Sequence, residues 1–500
     1  MKGADGLNGT VSAKGAGPGE HTWQQLTVWL ERLQALETHR AESYDLTVDL
    51  DPSAGRIEVK GVVRLGRPGR LGAPGGPDPA ARRAPASGGP GEPGSPPDEV
   101  RFLLHPDFEV VEPAGVASGA GDDRALRAAI LPAGAGELPL HYRGRLPRAW
   151  VSPGNTELAL YCLWFPLFSG SLAPFTFRVV LTAPPDVIPV MCGRLAPLPP
   201  ELAPRVHKDD APRTYLWEST APGNDIVVCA APYLVHQRLC GSLWVEAYVL
   251  PEDYDIGDRY VDWAGRVMSV LTRWFGPLPA ANPGGARPGG APPPRLAVAV
   301  PERSNWGGYS RHGLIVAPRP LSTGVRDPEK APRVAAFLAH EMGHLWYGSG
   351  VLSDTMNEPW LSEAFAEFAR LVFIEAELGE TSYRERLAAY ARKAAAAAAA
   401  GPRSMRAVTT AHPEMDALAR LRGGLMLACL RERLGDDLTA RVLSGFAACY
   451  AGRIVSGEDF VAYASEAAAA AGHDIRSLRS FFAGYLDEPP GGATDAGGTG

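Results

Sequence analysis

Residues 334–366 read VAAFLAHEMGHLWYGSGVLSDTMNEPWLSEAFA, and they decide how the rest of the chain is interpreted. Apolar side chains recur at helical spacing through Val334–Tyr347, which predicts an amphipathic helix. His340 and His344 lie four positions apart on it, so both imidazoles face the same space and can bind one metal ion. Glu341 follows the first histidine, where its carboxylate can reach a metal-bound water without being a ligand itself.

A third candidate ligand lies on the next predicted helix. That helix is expected to begin near residues 357–359, with Asn357 as its N-cap, and it carries Glu363, 19 positions after His344. The five-residue histidine motif alone leaves open that these are ordinary polar residues on a helix. Two imidazoles and a carboxylate form a donor set for Zn²⁺ that leaves a position for water. Glu363 is therefore a candidate third ligand beside His340 and His344.

The segment from His340 to Phe365 resembles the aminopeptidase N family of gluzincin zinc metallopeptidases. That family has H-E-x-x-H, eighteen residues, then a glutamate within W-L-N-E-G-F-A, and residues 360–366 here read WLSEAFA. The resemblance implies a multidomain α+β fold, in which an N-terminal antiparallel β domain precedes a thermolysin-like, mainly helical zinc catalytic domain. It also implies that one Zn²⁺ per chain is held by His340, His344 and Glu363, and that Glu341 is the catalytic general base. The long C-terminal helical domain of longer members is expected to be missing.

Composition and periodicity divide the 500 residues into segments. Residues 1–43 are predicted to be a disordered tail plus a helix. Residues 44–245 are predicted to be a β domain because alternating apolar residues dominate them. Within that domain, residues 66–97 are almost entirely Gly, Pro, Ala and Arg, which predicts a disordered insert. Residues 246–490 are predicted to form the catalytic domain, and residues 491–500 a tail.

Charge and cysteine content limit the partners and the compartment. The formal charge is −7 and the basic residues are not clustered, so neither nucleic acid nor membrane is expected as a partner. The six cysteines form no C-x-x-C pair, the N-terminus lacks the apolar core of a signal peptide, and the chain contains no run of 18 apolar residues. We predict a cytoplasmic protein whose partner is a peptide substrate. The sequence does not indicate the oligomeric state.

One departure from the family concerns the substrate's amino terminus. The family has Gly-x-Met-Glu-Asn before the metal-binding helix, and its glutamate holds the free α-amine. Here one alignment puts Ser310 in place of that glutamate, and another puts Ser304 there. Glu157 lies roughly where family members have a second amine-binding residue. The resemblance therefore implies a peptidase with a weakened preference for free amino termini.

A second departure concerns the tyrosine that stabilises the transition state in the family. The matching segment is Arg420-Leu421-Arg422-Gly423, which puts Arg420 in the tyrosine's position. A guanidinium could bind the oxyanion. Alternatively, Arg420 faces solvent or pairs with Glu414 or Asp416, and Tyr309 supplies the hydroxyl.

Three further residues have two interpretations each. His312 and His412 either line the site or are structural. Glu367, one turn after Glu363, is either an exposed helix charge or accepts a hydrogen bond from a ligand histidine.

Three functions remain open at this point. A metallopeptidase, by resemblance an aminopeptidase, is the first. A zinc hydrolase without N-terminal specificity, acting on internal bonds or on non-peptide substrates, is the second. A non-catalytic zinc-bearing protein that binds partners is the third, and Glu341 argues against it because a metal scaffold needs no base there.

Overall fold

The computed structural model describes residues 28–30, 33, 39–66, 98–132, 134–168, 173–202, 210–279, 293–302, 307–401 and 403–490. These residues fall into two compact units, one ending at Tyr233 and the other beginning at Leu234. Most of the predicted N-terminal tail, the insert after Gly66 and the C-terminal tail lie outside the described residues. The domain boundaries at residues 44, 246 and 490 stay predictions.

The first unit is built from strands. They are β1 (Arg40–Asp51), β2 (Arg56–Gly66), β3 (Asp98–Leu103), β4 (Glu109–Glu112), β5 (Ala117–Ser118), β6 (Leu126–Leu131), β7 (Glu137–Arg145), β8 (Val151–Ser152), β9 (Asn155–Leu158), β10 (Thr176–Ala183), β11 (Ile188–Met191), β12 (Arg194–Ala196), β13 (Arg213–Glu218) and β14 (Val228–Ala231). The described strands form three sheets, in the orders β12-β13-β10-β1-β2-β7-β4, β11-β14-β9-β8 and β3-β6-β5. The pairs are antiparallel except β1 with β10.

Alternation of apolar and polar residues explains the central hairpin. In β1 the side chains of Tyr44, Leu46 and Val48 are buried, and the residues between them are exposed. Successive side chains of a strand point to opposite faces, so this pattern buries one face of the sheet and leaves the other polar. The hydroxyl of Tyr44 donates to the carbonyl oxygen of Pro166 at 2.7 Å, which satisfies its polar end inside the core.

The second unit has a small sheet and many helices. Its strands are β15 (Leu234–Cys240), β16 (Leu243–Val249), β17 (Arg295–Ala299), β18 (Tyr309–Arg311), β19 (Leu314–Val316), β20 (Leu352–Ser353) and β21 (Ile454–Val455). Its helices are α1 (Gly257–Phe275), α2 (Pro320–Arg326), α3 (Ala331–Gly343), α4 (Trp360–Ala400), α5 (Arg422–Leu434), α6 (Asp436–Cys449), α7 (Gly457–Ala470) and α8 (Ile475–Leu486). Five described strands form one sheet in the order β15-β16-β17-β19-β18. No described helix is long and apolar enough to cross a membrane.

The ends of two helices differ from the predicted ones. Helix α3 ends at Gly343, so His344 follows the last helical residue instead of lying within the helix. Helix α4 begins at Trp360 without a side-chain cap, and Asn357 donates to Asp354 Oδ2 at 2.8 Å, so the predicted Asn357 cap is wrong. A π-helix over Asp416–Leu421 precedes α5 and continues into it.

An aromatic cluster holds the end of α3 against the start of α4. The ring of Tyr347 stacks on Phe365 with centroids 3.9 Å apart, and Phe365 meets Phe460 of α7 edge-on at 4.9 Å. Such pairs contribute roughly 0.5–1.5 kcal/mol each beyond the burial of their surface. The loop between α3 and α4 is therefore anchored at both ends by buried rings.

Candidate metal centre

Helices α3 and α4 approach each other closely at Gly343. A Cβ atom at this position would lie 2.9 Å from Ala366 Cα and 2.9 Å from Ala369 Cβ, which is closer than real Cβ atoms come. Only glycine permits this approach, and Gly343 lies between the two histidines of the motif. The glycine thereby brings the histidine-bearing turn of α3 against the first turns of α4.

The predicted metal ligands meet at this helix contact. His340 Nε2 lies 3.4 Å from Glu363 Oε2, and His344 Nε2 lies 3.8 Å from Glu363 Oε1. One donor atom from each residue lies within 4.8 Å of the others, and no second such group occurs among the described residues. Ligands about 2.0–2.2 Å from one zinc ion in a tetrahedral arrangement are roughly 3.3–3.6 Å apart. The measured separations therefore fit a single zinc ion.

Burial and charge favour a cation at this place. Burial raises the pKa of the Glu363 carboxyl, but His340 and His344 outweigh it and lower that pKa to about 2. Burial lowers the pKa of His340, but Glu363 and Glu367 outweigh it and raise the pKa to about 8. In His344, burial dominates and lowers the pKa. An ionised carboxylate next to two buried imidazoles is electrostatically suited to a bound metal ion.

The ring of His344 is oriented by two oxygens. Its Nδ1 lies 2.9 Å from Ser362 Oγ and 3.2 Å from the carbonyl oxygen of Tyr347. A carbonyl oxygen can only accept, so Nδ1 carries the proton and the lone pair stays on Nε2, on the side of Glu363. Ser362 was not identified from the sequence, although it directly precedes Glu363 and occupies the position of the asparagine in the family motif.

Glu367 lies behind the other histidine. Its carboxylate is fully buried, and Oε2 lies 3.0 Å from His340 Nδ1. The interpretation of Glu367 as an exposed helix charge is therefore wrong. A carboxylate at this position selects the tautomer in which His340 Nε2 is available to a metal.

Glu341, the predicted general base, is 5% exposed and follows His340 within α3. It lies in the same turn of α3 as His340. The structure thus brings the three predicted metal ligands together, and the role of the buried Glu341 as the base stays a prediction.

The two serines that align with the family's amine-binding glutamate carry no charge. Ser304 lies outside the described residues, and Ser310 is buried in β18. Strand β18 pairs only with β19 among the described strands, which leaves its other edge for an extended peptide. Glu157 belongs to β9 of the first unit, where it accepts a hydrogen bond from the hydroxyl of Tyr161 at 2.6 Å.

Arg420 does not face solvent. Its side chain is 15% exposed, forms an ion pair with Asp416, and places Nη1 3.7 Å from Glu367 Oε2. Of the two interpretations, pairing with Asp416 is the one that the structure shows. Tyr309 lies on β18, and the guanidinium of Arg311 covers its ring at 5.4 Å.

The two isolated histidines make local contacts. His312 occupies the turn between β18 and β19, and its backbone N–H donates to Ser349 Oγ at 3.4 Å. Nδ1 of His412 accepts the backbone N–H of Glu414 at 3.0 Å.

Comparison with known proteins agrees with this geometry. The model of the peptidase family M1 domain matches residues 297–485. A puromycin-sensitive aminopeptidase of Caenorhabditis elegans is 28% identical over 146 residues, which are 27% of this chain and 13% of that protein. Human glutamyl aminopeptidase is 26% identical over 236 residues, 44% of this chain and 22% of that protein. The chain thus spans about a fifth or less of the length of these relatives.

A solved structure extends the likeness beyond the matched domain. An M1 zinc metallopeptidase from Deinococcus radiodurans, a mutant bound to a Tyr-Ser-Ala substrate, aligns with a TM-score of 0.59 at 18% identity. The alignment covers 91% of this chain and 95% of that one. This likeness concerns the fold, and it confirms the predicted class of an N-terminal β domain followed by a mainly helical, thermolysin-like domain.

Proposed function

We propose that the chain, whose residues 297–485 match the peptidase family M1 domain, is a gluzincin related to aminopeptidase N: a zinc-dependent metallopeptidase that acts as an aminopeptidase. One observation carries the proposal. The donor atoms of His340, His344 and Glu363 lie within 4.8 Å of one another beside the buried Glu341. A structural metal site would not need a buried carboxylate that is adjacent to the ligands but outside the ligand set.

The charges around the cluster suit one divalent cation. With neutral histidines, the local charged groups are the carboxylates of Glu341, Glu363, Glu367 and Asp416 and the guanidinium groups of Arg370 and Arg420. Four negative and two positive groups leave a net charge of two minus. Zn²⁺ binds neutral imidazoles, and one such ion neutralises this charge. We therefore propose His340, His344 and Glu363 as the ligands of one zinc ion per chain.

The catalytic roles follow from the positions of the side chains. When bound, zinc supplies a water molecule of lowered pKa and polarises the scissile carbonyl group. Glu341 accepts the proton of the attacking water and returns it to the leaving amine nitrogen. Ser362 and Glu367 hold the two imidazoles by their Nδ1 atoms, so both rings keep Nε2 directed to one point.

A second candidate function is a zinc hydrolase without N-terminal specificity, acting on internal peptide bonds or on non-peptide substrates. The observation that favours it is Ser310, which replaces the family's amine-binding glutamate in one alignment and lies uncharged in the edge strand β18. The metal chemistry is the same for both candidates, and only the recognition of the amino terminus differs. A peptide as the substrate class and a cytoplasmic location stay predictions from the sequence.

The proposal is tested by the metal content and the hydrolytic activity of the purified protein. We expect one zinc per chain, peptide hydrolysis by the zinc-loaded protein, and loss of activity with a chelator that is reversed by added zinc. Protein that contains stoichiometric zinc but hydrolyses neither free nor N-acetylated peptides would support the non-catalytic alternative. Protein that binds no zinc would contradict the metal site itself.

A further inference from the structure

A buried cluster of charged side chains surrounds the carboxylate behind His340. Glu367 Oε2 lies 3.0 Å from His340 Nδ1 and 3.7 Å from Arg420 Nη1. On its other side, Oε1 accepts from the hydroxyl of Tyr390 and lies 3.5 Å from Arg370 Nη1. The fully buried carboxylate of Glu367 therefore contacts four groups: one proposed metal ligand, two guanidinium groups and one hydroxyl.

The backbone brings Arg420 to this carboxylate by two features. The π-helix Asp416–Leu421 places Arg420 next to α4 instead of continuing the register of α5. Wide turns of this kind occur often at functional sites. Gly424 then lets α5 pack directly on Glu367, because a Cβ atom at Gly424 would lie 3.1 Å from Glu367 Cγ and 3.2 Å from its Cβ. Asp416 pairs with the other terminal nitrogen of Arg420, Nη2, and helps to hold the guanidinium in place.

We propose that Arg420 is a positioning residue for the metal site: it fixes Glu367, and Glu367 in turn fixes the ring of His340. The inference rests on the proposed zinc site and assigns to Arg420 a role different from stabilisation of the oxyanion. Two terminal nitrogens of the guanidinium are engaged by carboxylates, Nη1 by Glu367 and Nη2 by Asp416. Without Arg420, the buried carboxylate of Glu367 loses one of its positive partners. The position of Glu367, and with it the orientation of the His340 ring, is then no longer fixed.

This role predicts an effect on metal affinity. Loss of a group that supports a metal ligand from behind typically costs about 10–100-fold in metal affinity or activity. We expect Arg420→Met to bind zinc about 10–100-fold more weakly in equilibrium competition with a chelating dye, with the folded state verified by circular dichroism. Arg420→Lys keeps the charge and should recover part of the affinity. At saturating zinc, kcat of Arg420→Met should stay within about tenfold of the wild type.

A matched control separates this role from a general loss of stability. Arg431 is equally buried, with 14% of its side chain exposed, and pairs with two carboxylates, Glu375 and Asp436, on the same helical unit. Arg431→Met should therefore lower the free energy of unfolding but leave zinc affinity within about twofold of the wild type.

A double-mutant cycle tests whether Arg420 acts through Glu367. Glu367→Gln should weaken zinc binding, and adding Arg420→Met to it should weaken binding little further, because the contact through which Arg420 acts is already gone. If Arg420→Met does not fold, the cycle is run with Arg420→Lys. Additive losses of affinity would contradict the inference.

Two other outcomes separate the inference from the proposed function. If Arg420→Met binds zinc as tightly as the wild type while kcat of the loaded enzyme falls about 100-fold or more, Arg420 acts on the oxyanion and the inference is wrong, although the metal site stands. If the wild-type protein itself binds no zinc, the proposed function fails, and the inference fails with it.

Discussion

Nδ1 of His344 lies 2.9 Å from the Oγ of Ser362, and the same oxygen donates to the carbonyl oxygen of Tyr347 at 3.1 Å. The serine is the direct neighbour of Glu363 in the first turn of α4. One turn of helix therefore supplies both a proposed ligand and the group that orients another.

We predict that Ser362→Ala lowers zinc affinity by about tenfold, because support of the ligand ring from behind is worth about 10–100-fold and Tyr347 still accepts from Nδ1. Competition with a chelating dye measures the change. Ser382→Ala on the same helix removes a hydroxyl that bonds only to the carbonyl oxygen of Leu378 in the described structure, and it should leave zinc affinity unchanged. Equal affinities of Ser362→Ala and the wild type would contradict the role of this serine.

Glu363→Ala should remove most of the bound zinc and leave the fold largely intact. The reason is that Glu363 faces both imidazoles and supplies the only carboxylate of the donor group. Zinc content after dialysis, measured by atomic absorption, tests this prediction. Glu385→Ala, an exposed glutamate on the same helix, is the control and should keep its zinc. Full zinc retention by Glu363→Ala would show that the ligand assignment is wrong.

Replacement of the family's amine-binding glutamate by serine should weaken the selectivity of the proposed aminopeptidase, so that free and N-acetylated peptides are hydrolysed with kcat/KM values within about tenfold of each other. A buried charge pair with a substrate ammonium is worth roughly 2–5 kcal/mol when one partner is removed, and Ser310 offers no such charge. Measuring both substrates with the same zinc-loaded preparation tests this. A preference for free amino termini above about 100-fold would indicate that another acid, such as Glu157, binds the amine.

Acidification should destabilise the protein through His312. Burial and the adjacent Arg311 lower the pKa of His312 to about 4, from the ordinary value of 6.5. Because the unfolded chain takes up this proton first, the free energy of unfolding falls as pH drops from about 6.5 to about 4. His312→Asn tolerates the positive φ of 35° and does not titrate, so urea titrations should show a smaller loss of stability for it between these pH values. The same loss in both proteins would exclude His312 as a cause.

The sequence predicts the part of the site that depends on local spacing. His340, Glu341 and His344 share one turn, and Glu363 is recognisable from its distance to them. In the first unit, strands with clear alternation of apolar and polar residues, such as β1, are likewise predictable from the sequence. The short strand β9 is not, because all four of its residues are buried and show no alternation.

The remainder depends on packing between elements that are distant in the chain. Glu367 is buried because α5, which lies more than fifty residues later in the chain, packs directly on its side chain at Gly424. Arg420 reaches that carboxylate only because a π-helix precedes α5. A single sequence shows neither the close approach of two helices nor a local change of helical register, so the partner of Arg420 remained open between two interpretations.

The central claim is that Glu341 performs proton transfer beside a zinc ion held by other residues. Glu341→Gln tests it most directly, because glutamine preserves size and hydrogen bonding but cannot accept the proton. Zinc content and turnover are measured on the same preparation. We predict unchanged zinc content and a kcat lower by about 10² or more. Wild-type turnover by Glu341→Gln, with one zinc per chain, would contradict the proposed mechanism.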